Sequence, residues 1–193
     1  MRTAARATPH APTGVQRSVR EILMGAQDNL TNVLAVVLGV SIGSGEMRTV
    51  ALAGLAAGVA EAISMGGVLY TSTRAAQDLR VQMGSGADGS APADRTTSGP
   101  TPLLGPLAAG LVTFASAAVA AAIPLIPFAF LSLQRAMVAS ASVSVAALFL
   151  LGAWTATITR RSWWRAGLQI VIIGTVAALA AAAVGAALKS SPG

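Results

Sequence analysis

The segment LLGPLAAGLVTFASAAVAAAIPLIPFAF, residues 103–130, decides the fold class of this chain. It lies within a run of 39 residues between Arg95 and Arg135 that contains no charged side chain. At about 1.5 Å of rise per residue, one helix of that length would be about twice as long as the hydrocarbon core of a bilayer is thick. The segment therefore predicts a membrane-spanning helix that is interrupted before Arg135.

Two prolines near the end of this segment supply the interruption. Pro124 and Pro127 lack the backbone N–H that an interior helical position must donate, and each also restricts the residue before it. The sequence therefore predicts a span from Leu103 to Ile123, followed by a bend that leads to Arg135.

The composition of the whole chain agrees with a protein that lies in lipid. Of its 193 residues, 54% are hydrophobic and only 10% are charged, whereas a typical soluble domain has about 25% charged residues. Such a chain could not cover a water-soluble surface without large apolar patches. The absence of cysteine and the single histidine, His10, exclude disulfides, thiolate metal sites and histidine-based metal sites.

Four further apolar stretches complete an all-α membrane protein with five transmembrane helices. The predicted spans are residues 22–45, 49–73, 103–123, 136–159 and 166–188. The corresponding organisation is a disordered basic tail at 1–20, spans one and two within 21–80, a flexible cytoplasmic linker at 81–102, and spans three to five within 103–188.

The distribution of basic residues predicts the orientation of these spans. If the N-terminus is cytoplasmic, ten of the 13 Lys and Arg residues lie on that side, and only Arg48, Arg135 and Lys189 lie on the other. This asymmetry is what the positive-inside rule requires. The net charge of +6 is therefore explained by membrane topology, and we expect no nucleic acid partner.

Two of the seven acidic residues, Asp28 and Glu61, lie inside predicted spans. An ionised carboxylate at the centre of a membrane helix costs about 2.5–3.5 kcal/mol even on the lenient insertion scale. Neither residue has a Lys or Arg at helical spacing within its own span, so an intrahelical ion pair cannot offset this cost. The two carboxylates are therefore candidates for a functional site, although a membrane acid can also be a protonated packing residue.

Other potential ligands lie one helical turn from these acids. Asn32 follows Asp28 by four residues, Asn29 is adjacent to Asp28, and Met65 follows Glu61 by four residues. The first two spans are joined by a short turn and should pack together. Carboxylate and amide oxygens with a thioether predict a site for Fe²⁺ or Mn²⁺ rather than for Mg²⁺ or Ca²⁺.

Three motifs in the chain resemble those of the vacuolar iron transporter family and its nodulin-like relatives. They are REILMGAQDN at 20–29, AEAISMG at 60–66 and IPLIPF at 123–128. The first motif looks like the Arg-Glu-x-x-x-Gly-Ala-x-Asp-Gly opening of the family and is the most specific of the three. The resemblance implies a dimeric five-span protein that moves Fe²⁺ or Mn²⁺ out of the cytosol in exchange for protons.

The resemblance also implies roles for individual residues. Asp28, Glu61 and Met65 correspond to positions that line the translocation path of the family. Asn29 stands where many members have glycine, and Leu69 stands where many have glutamate. Because the linker 81–102 contains no glutamate, the chain looks closer to relatives that lack the glutamate-rich cytoplasmic metal-binding domain.

The sequence thus predicts a multi-pass transporter of the cell membrane that exports Fe²⁺ or Mn²⁺, with protons as the exchanged ion. Its expected metal ligands are Asp28, Glu61, Met65, Asn32 and Asn29. We expect a homodimer in the lipid bilayer, no enzymatic activity and no resident cofactor, since the metal is cargo. The alternative is a non-transporting scaffold or sensor with the same fold; an intramembrane aspartyl enzyme is the weakest interpretation.

Overall fold

The computed structural model describes residues 14–85, 105–159 and 162–190. These residues form five α-helices and no strand: α1 (Gly14–Ser44), α2 (Met47–Ser85), α3 (Pro106–Phe130), α4 (Leu133–Thr159) and α5 (Trp163–Ser190). Each helix contains a stretch long and apolar enough to cross a membrane. The predicted all-α class with five membrane helices is confirmed, while the cytoplasmic position of the N-terminus stays a prediction.

Helix α1 is the centre of the bundle because it packs against all four other helices. The remaining contacts follow chain order, with α2 on α3, α3 on α4 and α4 on α5. Large side chains on α1 are almost completely buried, as expected for a helix surrounded by others: Leu30, Val33, Leu34 and Val37. Helix α1, which contains three of the five predicted ligands, is therefore also the helix around which the other four pack.

Small residues allow α1 and α5 to approach closely. A Cβ atom on Gly39 would lie only 2.8 Å from the carbonyl oxygen of Ala181, and a Cβ atom on Gly185 would overlap the carbonyl oxygen of Gly39. Membrane helices gain van der Waals contact where such small residues face each other. This contact explains why both positions are glycine.

A tight turn joins α1 to α2 and makes them antiparallel neighbours. Gly45 has a φ of 66°, a left-handed conformation that glycine adopts without steric cost. Its N–H donates to the carbonyl of Ser41 at 3.1 Å. The Glu46 carboxylate then accepts a hydrogen bond from the Thr49 hydroxyl at 2.6 Å, within the first turn of α2.

Two helices extend beyond the predicted spans into the segments predicted to be the tail and the linker. Helix α1 begins at Gly14, inside the segment 1–20 that the sequence predicts to be a disordered tail, and α2 continues to Ser85, inside the predicted linker. The rest of that tail and of that linker lies outside the described residues. Because the backbone hydrogen bonds of a helix lie within the helix itself, a helix can continue from the membrane into water. The change from apolar to polar residues therefore indicates the membrane edge, whereas the end of the helix does not.

The predicted end of span three at Ile123 is wrong, because α3 continues through both prolines to Phe130. The hydroxyl of Ser140 on α4 donates to the carbonyl of Pro124 at 2.7 Å, in the turn that the prolines interrupt. The carbonyls that lose their helical donors to the two prolines are those of Ala120 and Ile123, four residues earlier. The Ser140 bond therefore joins α3 to α4 rather than replacing a lost helical hydrogen bond.

The start of α5 has an aromatic composition that is typical of a membrane interface. Trp163 and Trp164 are both exposed. The Arg165 guanidinium lies over the ring of Trp164, 5.1 Å from its centroid, and Trp163 packs edge-on against Phe149. Amphipathic rings of this kind are typical of the headgroup level of a bilayer.

Candidate metal site

A direct contact joins two of the predicted ligands across the α1–α2 interface. The side-chain amide of Asn32 donates to Oε2 of Glu61 at 3.3 Å. Asn32 is exposed and Glu61 is half-buried, so the contact lies at the surface of the helix pair. The predicted packing of spans one and two therefore brings this amide and this carboxylate together.

Met65 lies one turn further along α2, at an inner position. A Cβ atom on Gly25 would be 3.1 Å from Cε of Met65 and 3.3 Å from Cγ2 of Thr113. The end of the Met65 side chain thus occupies space that only a glycine on α1 leaves free. This contact places the thioether side chain where α1, α2 and α3 meet.

Asp28 lies on the exposed side of α1. Helical geometry puts it one turn before Asn32, on the same face of the helix. The two contacts of α1 with α2, Asn32 with Glu61 and Gly25 with Met65, occur on either side of Asp28 along the chain. The carboxylate therefore lies at the height of the Glu61–Met65 turn.

Asn29, by contrast, is completely buried. Its amide nitrogen donates two hydrogen bonds, one to the carbonyl of Gly58 on α2 at 3.1 Å and one to the carbonyl of Ala117 on α3 at 3.0 Å. A single side chain of α1 is therefore bonded to two neighbouring helices. We refer to Asn29, Gly58 and Ala117 as the amide clamp.

The orientation of the clamp amide is fixed by its partners. If the Asn29 amide were reversed, its oxygen would face two carbonyl oxygens, which is electrostatically unfavourable. In the observed orientation the Oδ1 atom is buried and has no hydrogen-bond partner within the described part of the chain. The five predicted ligands thus divide into an outer set of Asp28, Asn32 and Glu61 and two inner residues, Met65 and Asn29.

Thr113 is a polar neighbour of the site that sequence reasoning missed. It is 1% exposed, and its hydroxyl has no partner among the described residues. The only sequence signal is a polar residue within an alanine-rich span, four residues before Ala117. Because α3 follows α2 only after a long connection, spacing along the chain cannot place Thr113 beside Gly25.

The arrangement offers a cation few anionic ligands. Among residues 14–85, 105–159 and 162–190, there is no cluster of three or more His, Cys, Asp and Glu residues that could hold a metal. Two carboxylates, an amide and a thioether can interact with a divalent cation that keeps part of its water shell. Such a set suits an ion that binds and leaves better than one held as a structural metal.

Comparison with known proteins agrees with the motifs. A model of the VIT family matches residues 19–84 and 93–186, which include most of each of the five helices and every predicted ligand. No curated protein matches the sequence. The family match covers most of the chain, and the chain therefore belongs to the VIT family.

Proposed function

We propose that this protein exports Fe²⁺ or Mn²⁺ from the cytosol in exchange for protons. Membership of the VIT family supports a multi-pass membrane protein that transports metal ions. The identity of the ion, the direction of transport and the exchange for protons are the parts that we add.

The contact between Asn32 and Glu61 carries the proposal. It joins two polar side chains inside predicted membrane spans, and Asp28 lies one turn from Asn32 while Met65 lies one turn from Glu61. In a span, polar groups that are this costly are usually functional. The donor set, hard oxygens with one soft sulfur, favours Fe²⁺ and Mn²⁺ over Mg²⁺ and Ca²⁺.

Exchange of metal for protons follows from the chemistry of carboxylates. Asp28 and Glu61 bind a metal through the same oxygens that bind protons, so metal entry releases protons and proton entry releases metal. If the site that contains Asp28 and Glu61 opens to only one side of the membrane at a time, the metal flux and the proton flux are coupled. The ten basic residues on the side of the N-terminus favour a cytoplasmic location for that side.

The exposure of Asp28 favours a homodimer. In a single chain this side chain lies on the outer surface of the helix bundle, within the candidate span that begins at Glu21. A carboxylate facing lipid is costly, whereas a second copy or a water-filled path between two copies would cover it. The proposed dimer therefore places the outer ligands at or near the contact between the two copies.

The decisive experiment measures metal flux in proteoliposomes. The purified protein is reconstituted with a pH gradient, and uptake of Fe²⁺ and of Mn²⁺ is followed for the wild type, Asp28→Asn and Glu61→Gln. We expect both variants to lose at least about tenfold in rate, the effect of about 1.4 kcal/mol at the rate-limiting step. Wild-type flux should fall when the pH gradient is abolished.

A matched control separates loss of a ligand from loss of charge. Asp78 is an exposed acid near the end of α2, away from the site. Asp78→Asn removes the same charge and should leave flux unchanged. Normal flux in both Asp28→Asn and Glu61→Gln would refute the proposed site.

A second candidate, a non-transporting scaffold or sensor, is favoured by two observations. Leu69 is a half-buried hydrophobic residue at a position where the resemblance leads one to expect glutamate. The linker 81–102 also contains no glutamate, so it lacks the glutamate side chains that gather metal in the domain that the resemblance leads one to expect there. A scaffold would leave the iron and manganese tolerance of expressing cells unchanged, whereas an exporter would raise it.

A further inference from the structure

The proline-containing part of α3 leaves backbone carbonyls without their helical donors. Pro124 has no N–H, so the carbonyl of Ala120, one turn earlier, cannot receive the usual hydrogen bond. This carbonyl belongs to a nearly buried residue, since Ala120 is 4% exposed. A buried carbonyl without a donor is costly and is normally satisfied by another group.

Helix α4 supplies serine hydroxyls to this region. Ser140 is fully buried and donates to the carbonyl of Pro124 at 2.7 Å. Ser144 lies one turn later on the same face of α4 and is equally buried. Its hydroxyl, however, has no hydrogen-bond partner in the described part of the protein.

The Ser144 hydroxyl and the Ala120 carbonyl lie at the same level of the α3–α4 interface. A turn of only Leu131 and Ser132 joins the helices, which therefore run antiparallel. One turn forward on α4 from Ser140 thus corresponds to one turn back on α3 from Pro124, which pairs Ser144 with Ala120. Leu148, one turn further along α4, belongs to the same core cluster as Ala120, which agrees with this alignment.

We infer that the serine pair gives α3 two positions against α4. In the position observed, the Ser140 hydroxyl donates to the Pro124 carbonyl, and the Ser144 hydroxyl has no hydrogen-bond partner among the described residues. In the second position, the interrupted turn of α3 moves toward α4, and the Ser144 hydroxyl donates to the Ala120 carbonyl. Ser144 is a positioning residue for this movement, because it acts on the backbone of α3 and touches no transported ion.

This movement would reach the metal site through α3. Ala117, whose carbonyl receives a hydrogen bond from Asn29, lies one turn before the interrupted segment. Displacement of the Ala120 turn therefore shifts one partner of the amide clamp. The use of the two positions in transport rests on the proposed function, but their existence does not.

The test measures the distance between α3 and α4 directly. The chain contains no cysteine, so spin labels can be placed at two new cysteines, Ile126→Cys and Val143→Cys, both on exposed positions of these helices. Pulsed electron–electron double resonance on the full chain in nanodiscs should give two populations of the distance between the two spin labels. Ser144→Ala should reduce the minor population about fivefold, the effect of one hydrogen bond of typical net strength.

Three further variants make the result specific. Ser142→Ala removes an exposed hydroxyl that bonds only within α4 and should leave both populations unchanged. Pro124→Ala gives residue 124 an N–H for the Ala120 carbonyl, so adding Ser144→Ala should then have no effect. Ser140→Ala should favour the second position, because it removes the bond that holds the first.

The outcomes separate this inference from the proposed function. A single distance that Ser144→Ala does not change overturns the inference, whether or not the protein transports metal. A clear loss of thermal stability in Ser144→Ala also overturns it, because the hydroxyl would then be bonded in the observed position. Absence of wild-type metal flux refutes the proposed function, while the distance measurement still decides the inference because it requires no metal.

Discussion

Replacement of Asn29 by aspartate separates two roles that this residue combines in the structure. As a metal ligand, Asn29 would use its Oδ1 atom, and aspartate would keep an oxygen there and add charge. As part of the amide clamp, it uses its Nδ2 atom to donate to Gly58 and Ala117. Aspartate removes that donor, so Asn29→Asp should preserve metal affinity and weaken the fold.

The expected loss of stability follows from the two hydrogen bonds. Each is worth about 1 kcal/mol net, and aspartate, even when protonated, can restore only one of them. The other carboxyl oxygen then faces a carbonyl oxygen in a buried site. We expect a total cost of about 2–3 kcal/mol, or a melting temperature lower by about 4–12 °C for a chain of this size.

Leucine at the same position is the informative comparison. Asn29→Leu also loses both hydrogen bonds, but it removes the buried Oδ1 atom, which has no partner among the described residues. Burial of an unpartnered polar atom costs about 1–3 kcal/mol, so the two changes nearly cancel. The stability of Asn29→Leu should remain within about 1 kcal/mol of the wild type.

Thermal unfolding in detergent, followed by tryptophan fluorescence with and without Mn²⁺, measures both properties in one experiment. We expect the order wild type, leucine and then aspartate for stability without metal. The increase in melting temperature on addition of Mn²⁺ should be as large for Asn29→Asp as for Asn29→Leu, or larger. An aspartate variant as stable as the wild type would refute the clamp.

Two glycines on α1 and α5 give further predictions. Gly185→Ala should lower the free energy of unfolding by at least about 1–3 kcal/mol, because the added Cβ would overlap the backbone of Gly39. The yield of folded protein in size-exclusion chromatography measures this loss. Gly67→Ala is the control, because no atom lies within 4 Å of a Cβ at that position. Gly25→Ala should leave the fold intact but displace the flexible end of Met65. We therefore expect weaker Mn²⁺ binding relative to Mg²⁺ binding in a competition assay. Unchanged selectivity between the two ions would contradict a role for the thioether.

The sequence predicts those features that the bilayer itself requires. The number of spans follows from the lengths of apolar segments, and the packing of spans one and two, across which Asn32 donates to Glu61, follows from the short turn between them. In contrast, α3 runs through Pro124 with its proline-containing turn packed against α4, where the hydroxyl of Ser140 donates to the Pro124 carbonyl. Local sequence cannot show that such a partner is present.

The difference between Asn29 and Asn32 marks the same limit within the site. The two residues are chemically identical and lie three positions apart, yet one is fully buried and the other is exposed. The rotation of α1 about its axis decides between them, and this rotation is set by the contacts of Gly25, Val33 and Gly39 with three other helices. Thr113 was missed for a related reason, because it comes from a helix that is not adjacent in sequence.

The central position of α1 has a consequence for biosynthesis. The ribosome makes α1 before the other four described helices, but its packing against α5 can form only after α5 has been inserted. Asn29 lacks its partner Ala117 until α3 has been inserted, and the face containing Gly39 has no cover until α5 has been inserted. Packing of α1 against α5 is therefore the last step in assembly of these five helices, and Gly185 acts at that step.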